Sequence, residues 1–96
     1  MGKITNIKQA SEFLNIPKNE ISFFWKYDND NWSYIDKNDH AHLFRFIEET
    51  YIELTKDVDA TFVSSFNDGY WLYEDKNDNY YLFNQNNKLI EKNSMI

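Results

Sequence analysis

The segment ISFFWKYDNDNWSYI, residues 21–35, decides which fold the chain can adopt. One interpretation makes residues 18–27 a helix. The other makes residues 21–27 a strand, residues 28–31 a turn and residues 32–35 the returning strand. Ile, Phe, Trp and Tyr favour the pleated surface of a sheet, and Asp and Asn favour turns. We therefore expect an antiparallel hairpin, and the helix stays as the alternative.

Helical periodicity lies on both sides of this segment. Residues 6–15 predict a first helix, with Asn6 or Thr5 as its N-cap. This helix ends before Pro17, because the residue before a proline avoids the α region. Residues 39–56 predict a longer second helix, because apolar residues recur there at i, i+3 and i+4. Its apolar stripe consists of Leu43, Phe44, Ile47, Tyr51 and Leu54.

The sequence after residue 59 has the pattern of an antiparallel meander. Asn67-Asp68-Gly69 suits a tight hairpin turn, because Asp-Gly tolerates positive φ. Strands are expected at residues 60–66, 70–74, 80–83 and 88–90. The predicted fold class is α+β, in which two helices pack on one face of an antiparallel β-meander in the order α-ββ-α-ββ(ββ). Residues 1–96 form a single domain in this interpretation.

Composition narrows the classes of function. The 96 residues carry a net charge of -6 and include eight Phe, seven Tyr and three Trp, which is too much apolar bulk for a disordered chain. The chain has no cysteine, so disulfides, thiolate metal sites and a Cys nucleophile are excluded. No apolar run approaches the ~18 residues that a membrane-spanning helix needs. We expect a cytoplasmic protein without a membrane contact.

Residues 9–21, QASEFLNIPKNEI, resemble the helix-turn-helix of excisionase-like and MerR-like regulators. Ala10, Leu14, Ile16 and Ile21 stand where those families hold their two helices together. The resemblance implies a small DNA-binding regulator, in which residues 18–27 would form the recognition helix. That helix would carry aromatic and acidic residues where base and phosphate contacts require Arg, Lys, Asn or Gln. DNA binding is therefore the alternative function.

Catalytic and metal-binding motifs are weak. His40 and His42 are two residues apart, whereas helical zinc sites use a spacing of four. The Asp75–Asn79 segment matches the first half of a calcium loop, but Tyr80 occupies the position that requires glycine. No Gly-x-Ser-x-Gly elbow and no phosphate-binding loop are present. We expect no enzyme activity, no catalytic residue, no cofactor and no metal.

The acidic residues are concentrated in one part of the chain. Residues 28–78 hold 13 acids and four bases, whereas the rest of the chain has an excess of bases. Carboxylates spaced along the second predicted helix and a neighbouring loop can imitate a row of phosphates, and Trp and Tyr can anchor an interface. The predicted partner-binding residues are Glu48, Glu49, Glu53, Asp57, Trp71, Tyr73, Glu74 and Asp75.

In general character the chain resembles phage-encoded anti-CRISPR and antirestriction proteins, and bacterial toxin-immunity proteins. Those proteins are small and acidic and have no enzymatic motif. The resemblance implies an inhibitor that blocks a basic nuclease or another nucleic-acid-binding effector, without binding nucleic acid itself. A monomer and a homodimer are both compatible with this interpretation, and self-association through the aromatic strands remains a third alternative.

Overall fold

The computed structural model describes residues 3–65 and 69–94, and about half of these residues lie in strands. Helix α1 (Ile7–Leu14) and a short 3-10 turn (Lys18–Glu20) come before the strands. The strands are β1 (Ile21–Lys26), β2 (Asn31–Asp36), β3 (Ala41–Ile47), β4 (Thr50–Glu53), β5 (Ala60–Ser65), β6 (Trp71–Asp75), β7 (Asn79–Phe83) and β8 (Leu89–Ser94). Strands β1–β4 form sheet A and strands β5–β8 form sheet B, each in chain order.

Helix α1 confirms the first predicted helix. The Asn6 side chain accepts a hydrogen bond from the Gln9 amide, as an N-cap does. Asn15 ends the helix in the left-handed region, with φ at 57°. The helix lies against sheet A, where Phe13 makes edge-to-face contacts with Trp32 and Phe44.

The hairpin predicted at residues 21–35 is also confirmed. Strands β1 and β2 pair antiparallel, with Phe24 opposite Tyr34 and Trp25 opposite Ser33. Asp28 closes the turn by accepting hydrogen bonds from the amides of Asp30 and Asn31. The segment that would have been a DNA-recognition helix is therefore a strand.

The predicted helix at residues 39–56 is wrong. This segment forms β3 and β4, joined by a hairpin turn in which Glu48 and Glu49 both have positive φ. Strand β3 alternates between two buried surfaces, since Leu43 packs toward sheet B and Phe44 packs toward α1. A strand covered on both faces loses the polar alternation that identifies it in sequence. Its apolar residues then matched a helical period by coincidence.

The α+β class with two helices on a single meander is therefore corrected to three layers. These layers are α1, sheet A and sheet B. One core cluster lies between α1 and sheet A, with Trp32 at its centre. A second cluster lies between the two sheets, with Leu43 and Tyr73 fully buried. The turn predicted at residues 67–69 falls largely outside the described residues.

The two sheets are copies of one unit. Trp71 lies 39 positions after Trp32, and the segments WSYIDKNDHAHLF (32–44) and WLYEDKNDNYYLF (71–83) are identical at eight of thirteen positions. Trp32 pairs with Phe44 across the strands of sheet A, and Trp71 pairs with Phe83 in the same way in sheet B. A register shift occurs at equivalent places, at the start of β1 and at the start of β5.

The turn between the central strands is repeated as well. Asp36 accepts hydrogen bonds from the amides of Asn38 and His40, and Asp75 accepts them from the amides of Asn77 and Asn79. The last residue of each Asp-Lys-Asn-Asp turn, Asp39 or Asp78, has a φ near 60°. Asp tolerates this conformation better than most residues, which explains why the same turn sequence recurs.

Within residues 3–65 and 69–94, no helix is long and apolar enough to cross a membrane.

Candidate functional site: an aromatic groove beside an acidic pocket

A groove with a volume of about 400 Å³ lies between β1, an outer strand of sheet A, and β5, an outer strand of sheet B. We call it the aromatic groove. None of the described residues that line it is charged. They are Phe23, Trp25, Tyr27, Ser33, Ile35, Ala41, Phe62, Val63, Ser64 and Ser65.

Three aromatic side chains on the groove are unusually exposed. Phe23, Trp25 and Phe62 expose 51%, 54% and 50% of their surface. Phe23 and Trp25 are two residues apart on β1, so they project from the same face of the strand. Their ring planes lie within 6° of each other, with the centroids 6.3 Å apart, and form a flat apolar wall.

Tyr27 forms the fixed floor of the groove. Its hydroxyl donates to the Val63 carbonyl at 3.0 Å and lies 2.9 Å from Ser33 Oγ. Its ring meets the Trp71 ring edge to face, with the centroids 4.8 Å apart. Burial is the largest influence on this phenol and raises its pKa. These contacts join the two sheets and hold the groove open.

An acidic pocket adjoins the aromatic groove, and Ala41 lies in the wall of both. The pocket has a volume of about 470 Å³. Glu53, Asp57 and Asp59 contribute negative charge to its lining, and Lys56 contributes one positive charge. His40 lies 3.5 Å from Asp59, which adds an exposed ion pair when this histidine is protonated.

His42 lies between two carboxylates at the edge of the acidic pocket. Its Nδ1 is 2.8 Å from Glu53 Oε2, and its Nε2 is 2.9 Å from Asp36 Oδ2. The Tyr34 ring stacks on the imidazole, with the centroids 4.7 Å apart. Thr55 completes the group by donating to Glu53 Oε2 and accepting from the Leu43 amide.

This arrangement favours the imidazolium form of His42. Burial disfavours the charged ring, but the hydrogen bonds that the ring donates to Glu53 and Asp36, together with their negative charges, outweigh burial and raise the pKa of His42. Burial alone would raise the pKa of Asp36 and of Glu53. The hydrogen bonds that the two carboxylates accept outweigh burial, chief among them the bond from His42, and lower both pKa values. Both ring nitrogens are engaged, so this histidine holds the sheet together.

The structure separates the predicted carboxylates. Glu48 and Glu49 form the turn between β3 and β4, at the opposite end of β3 from the acidic pocket. Glu53 and Asp57 both line that pocket, although Glu53 is half-buried against His42. The residues therefore do not form the continuous row that phosphate imitation along one helix would need.

The predicted aromatic anchors are inside the molecule. Trp71 is 4% exposed and Tyr73 is fully buried, since both pack between the two sheets. Glu74 is on β6 and is half-buried. Asp75 begins the turn after β6, where hydrogen bonds from the Tyr81 hydroxyl and the turn amides lower its pKa to about 2.

Sequence reasoning missed Phe23 and Phe62 as surface residues. The signal that could have found them is the repeat, because Phe62 lies 39 positions after Phe23 and both follow the shifted register at the start of an outer strand. In the part of the chain that the structure describes, no three His, Asp or Glu side chains are arranged to hold a metal ion.

Comparisons of the chain with protein-family models, with curated proteins and with solved structures find no match.

Proposed function

We propose that the protein is a non-enzymatic binding module that holds a basic protein partner, with an apolar side chain of the partner inserted into the aromatic groove. The observation that carries this proposal is the half-exposed state of Phe23, Trp25 and Phe62 around an uncharged groove. Large aromatic side chains are costly to leave in water, and Trp dominates the binding energy of many interfaces. A groove of this kind suits the apolar centre of an interface.

Charge determines the kind of partner. The net charge is -6, and carboxylates line the acidic pocket that adjoins the groove. Asp57 and Asp59 lie in this pocket, and Asp28 follows the groove residue Tyr27 in the chain, whereas Asp30 is paired with Lys3. Such a rim attracts a basic surface and repels an acidic one. Nucleases and other nucleic-acid-binding effectors carry basic grooves, so they come first among the partners that we propose.

The two parts of the site have different roles in this proposal. Contacts in the aromatic groove exclude water and hold the complex together, whereas the exposed carboxylates raise the rate of association. Blocking is stoichiometric, because the protein would occupy a surface of its partner without changing it chemically. A basic nucleic-acid-binding partner is consistent with action in the cytoplasm, which we propose as the location.

The proposal predicts a large effect of Trp25→Ala on dissociation. The partner is first captured with the wild-type chain, identified and purified, and both rate constants are then measured. Trp25→Ala should raise the dissociation rate about 30-fold, which corresponds to about 2 kcal/mol for a hot-spot residue. The matched control is Leu89→Ala on β8, because Leu89 is 51% exposed but lies outside the groove.

Charge reversal tests whether the exposed carboxylates raise the rate of association. Asp57→Lys together with Asp59→Lys should slow association and flatten its salt dependence, with little change in dissociation. A complex that tolerates Trp25→Ala but is lost with Leu89→Ala would place the interface on β8 and contradict the proposal.

A further inference from the structure

The backbone of β5 forms one wall of the aromatic groove. Four consecutive residues of this strand, 62–65, line the groove, whereas β1 contributes only the alternate residues Phe23 and Trp25. Consecutive residues of a strand point to opposite faces, so side chains on one face cannot explain this lining. The groove therefore runs along the edge of β5, where main-chain groups face it.

The edge of β5 lacks charged side chains. Strands β1, β4, β5 and β8 are the outer strands of the two sheets. Of these four described strands, only β5, with the sequence ATFVSS, has no charged residue. Exposed strand edges normally carry charges or proline because a bare edge pairs with other chains. An uncharged edge beside an apolar groove is a feature of proteins that accept an added strand.

Contacts within the groove show that the β5 main chain is reachable from it. The Val63 carbonyl accepts a hydrogen bond from the Tyr27 hydroxyl at 3.0 Å, so this carbonyl faces the groove and keeps its second lone pair for an added strand. Ser33, Ser64 and Ser65 leave room beside the edge, because their side chains are small. A second chain could lie along β5 and direct alternate side chains toward Phe62 and Trp25.

We infer that the groove binds an extended segment of the basic partner, which adds to sheet B as a strand along β5. This inference rests on the proposed function and specifies the form of its ligand. The acidic pocket contains Ala60, the first residue of β5, so it lies at the start of that strand. An antiparallel strand would reach it with its C-terminal end. The segment therefore has apolar residues at alternate positions, followed by Lys or Arg near Asp57 and Asp59.

The test uses the full chain labelled with 15N and a capped peptide of sequence Ser-Phe-Ser-Leu-Ser-Lys-Lys. The peptide should shift the amide resonances of Val63, Ser64 and Ser65 and slow their hydrogen exchange. The same peptide with N-methyl groups on alternate backbone nitrogens should bind about tenfold more weakly, because it cannot complete the ladder. Trp25→Ala should remove binding of the unmodified peptide, and Leu89→Ala should not.

The outcomes separate this inference from the proposed function. Equal binding of the N-methylated peptide, or no response at β5 up to about 1 mM peptide, would overturn strand addition. The proposed function would then still be judged by the effect of Trp25→Ala on the complex with the protein partner. Protection of the same β5 amides in a concentrated sample without peptide, together with a dimer in sedimentation, would identify a second copy as the occupant and overturn the basic segment.

Discussion

Sheet A and sheet B have the same strand order, the same central turn and the same register between their first three strands, but they differ in what covers them. Sheet A has α1 on one face and sheet B on the other. Trp32 and Trp71 are equivalent residues. Trp32 packs on the face of sheet A that contacts α1, whereas Trp71 packs on the face of sheet B that contacts sheet A. The other face of sheet B carries Glu74 where sheet A has the apolar Ile35. One backbone unit can thus be an inner or an outer layer, and a few side chains decide which.

The polar clusters of the two units differ in a second way. Asp36 binds His42 in sheet A, and the equivalent Asp75 binds the Tyr81 hydroxyl at 2.8 Å in sheet B. Lys92 lies opposite Tyr81 on β8, and its ammonium group is 5.3 Å from the centre of the Tyr81 ring. This part of sheet A is therefore stabilised by His42 and two carboxylates, whereas the corresponding part of sheet B is stabilised by the Tyr81 phenol with Asp75 and Lys92.

The largest expected difference concerns the aromatic core. Phe44 is 7% exposed and stacks on Trp32 at 4.6 Å, so Phe44→Ala should cost about 3–5 kcal/mol of unfolding free energy. Phe83 is the equivalent residue but is only half-buried, and Phe83→Ala should cost at least about 1 kcal/mol less. Urea denaturation of both variants measures this difference. Equal losses would show that sheet B is packed as tightly as sheet A.

Stability should depend on pH through the sheet A cluster. The raised pKa of His42 stabilises the fold below its ordinary value of about 6.5, and this contribution is lost as the pH rises through the folded-state pKa. The lowered pKa values of Asp36 and Glu53 stabilise the fold above about pH 4.5, and this contribution is lost as the pH falls. Thermal unfolding across pH should therefore show greatest stability between about pH 4.5 and 6.5.

The control replaces His42 in sheet A by tyrosine, the residue that sheet B has at the equivalent position 81. His42→Tyr should remove the decline in stability on the alkaline side, because tyrosine does not titrate near neutral pH. Tyr81→Phe should leave that decline in place. If the decline between about pH 6.5 and 8.5 persists in His42→Tyr, another group is its source.

The smallest expected effect concerns the hairpin turns. Glu48 and Glu49 have φ of 51° and 68°, a conformation that suits Asn and Gly much better than Glu. Replacing the pair by Asn-Gly should raise the unfolding free energy by about 1 kcal/mol. Asn86→Gly in the β7–β8 turn is the control, and it should give no gain, because Asn86 does not have positive φ. Denaturation midpoints of both variants, compared with that of the wild-type protein, measure these effects. An Asn-Gly variant with an unchanged midpoint would contradict the prediction.

Local signals in the sequence were sufficient for much of the fold. The Asn6 cap and Pro17 located α1, and the Asp/Asn turn with its aromatic flanks located the β1–β2 hairpin. The strands after residue 59 were also located, although β8 extends to Ser94, four residues beyond its predicted end. These features depend on residues close together in the chain, and their turn chemistry is specific.

Features that depend on tertiary contacts were not predictable in the same way. Strand β3 is buried on both faces, so its pattern imitated a helix, and a Glu-Glu turn gives no turn signal. The separation of Trp71 from the surface and the exposure of Trp25 depend on which sheet face meets the next layer.

The repeated segments 32–44 and 71–83 have a consequence for the folding reaction. Because β7 repeats the Leu-Phe end of β3, β2 has a second strand in the chain with which it could pair in the same register. In the native sheets, however, every strand pairs with its neighbour in the chain. Short loops close faster than long ones, and a hairpin forms in about 1–10 μs. Speed of local pairing thus protects the chain from exchanging its own halves, and at high concentration the same similarity would favour exchange between molecules.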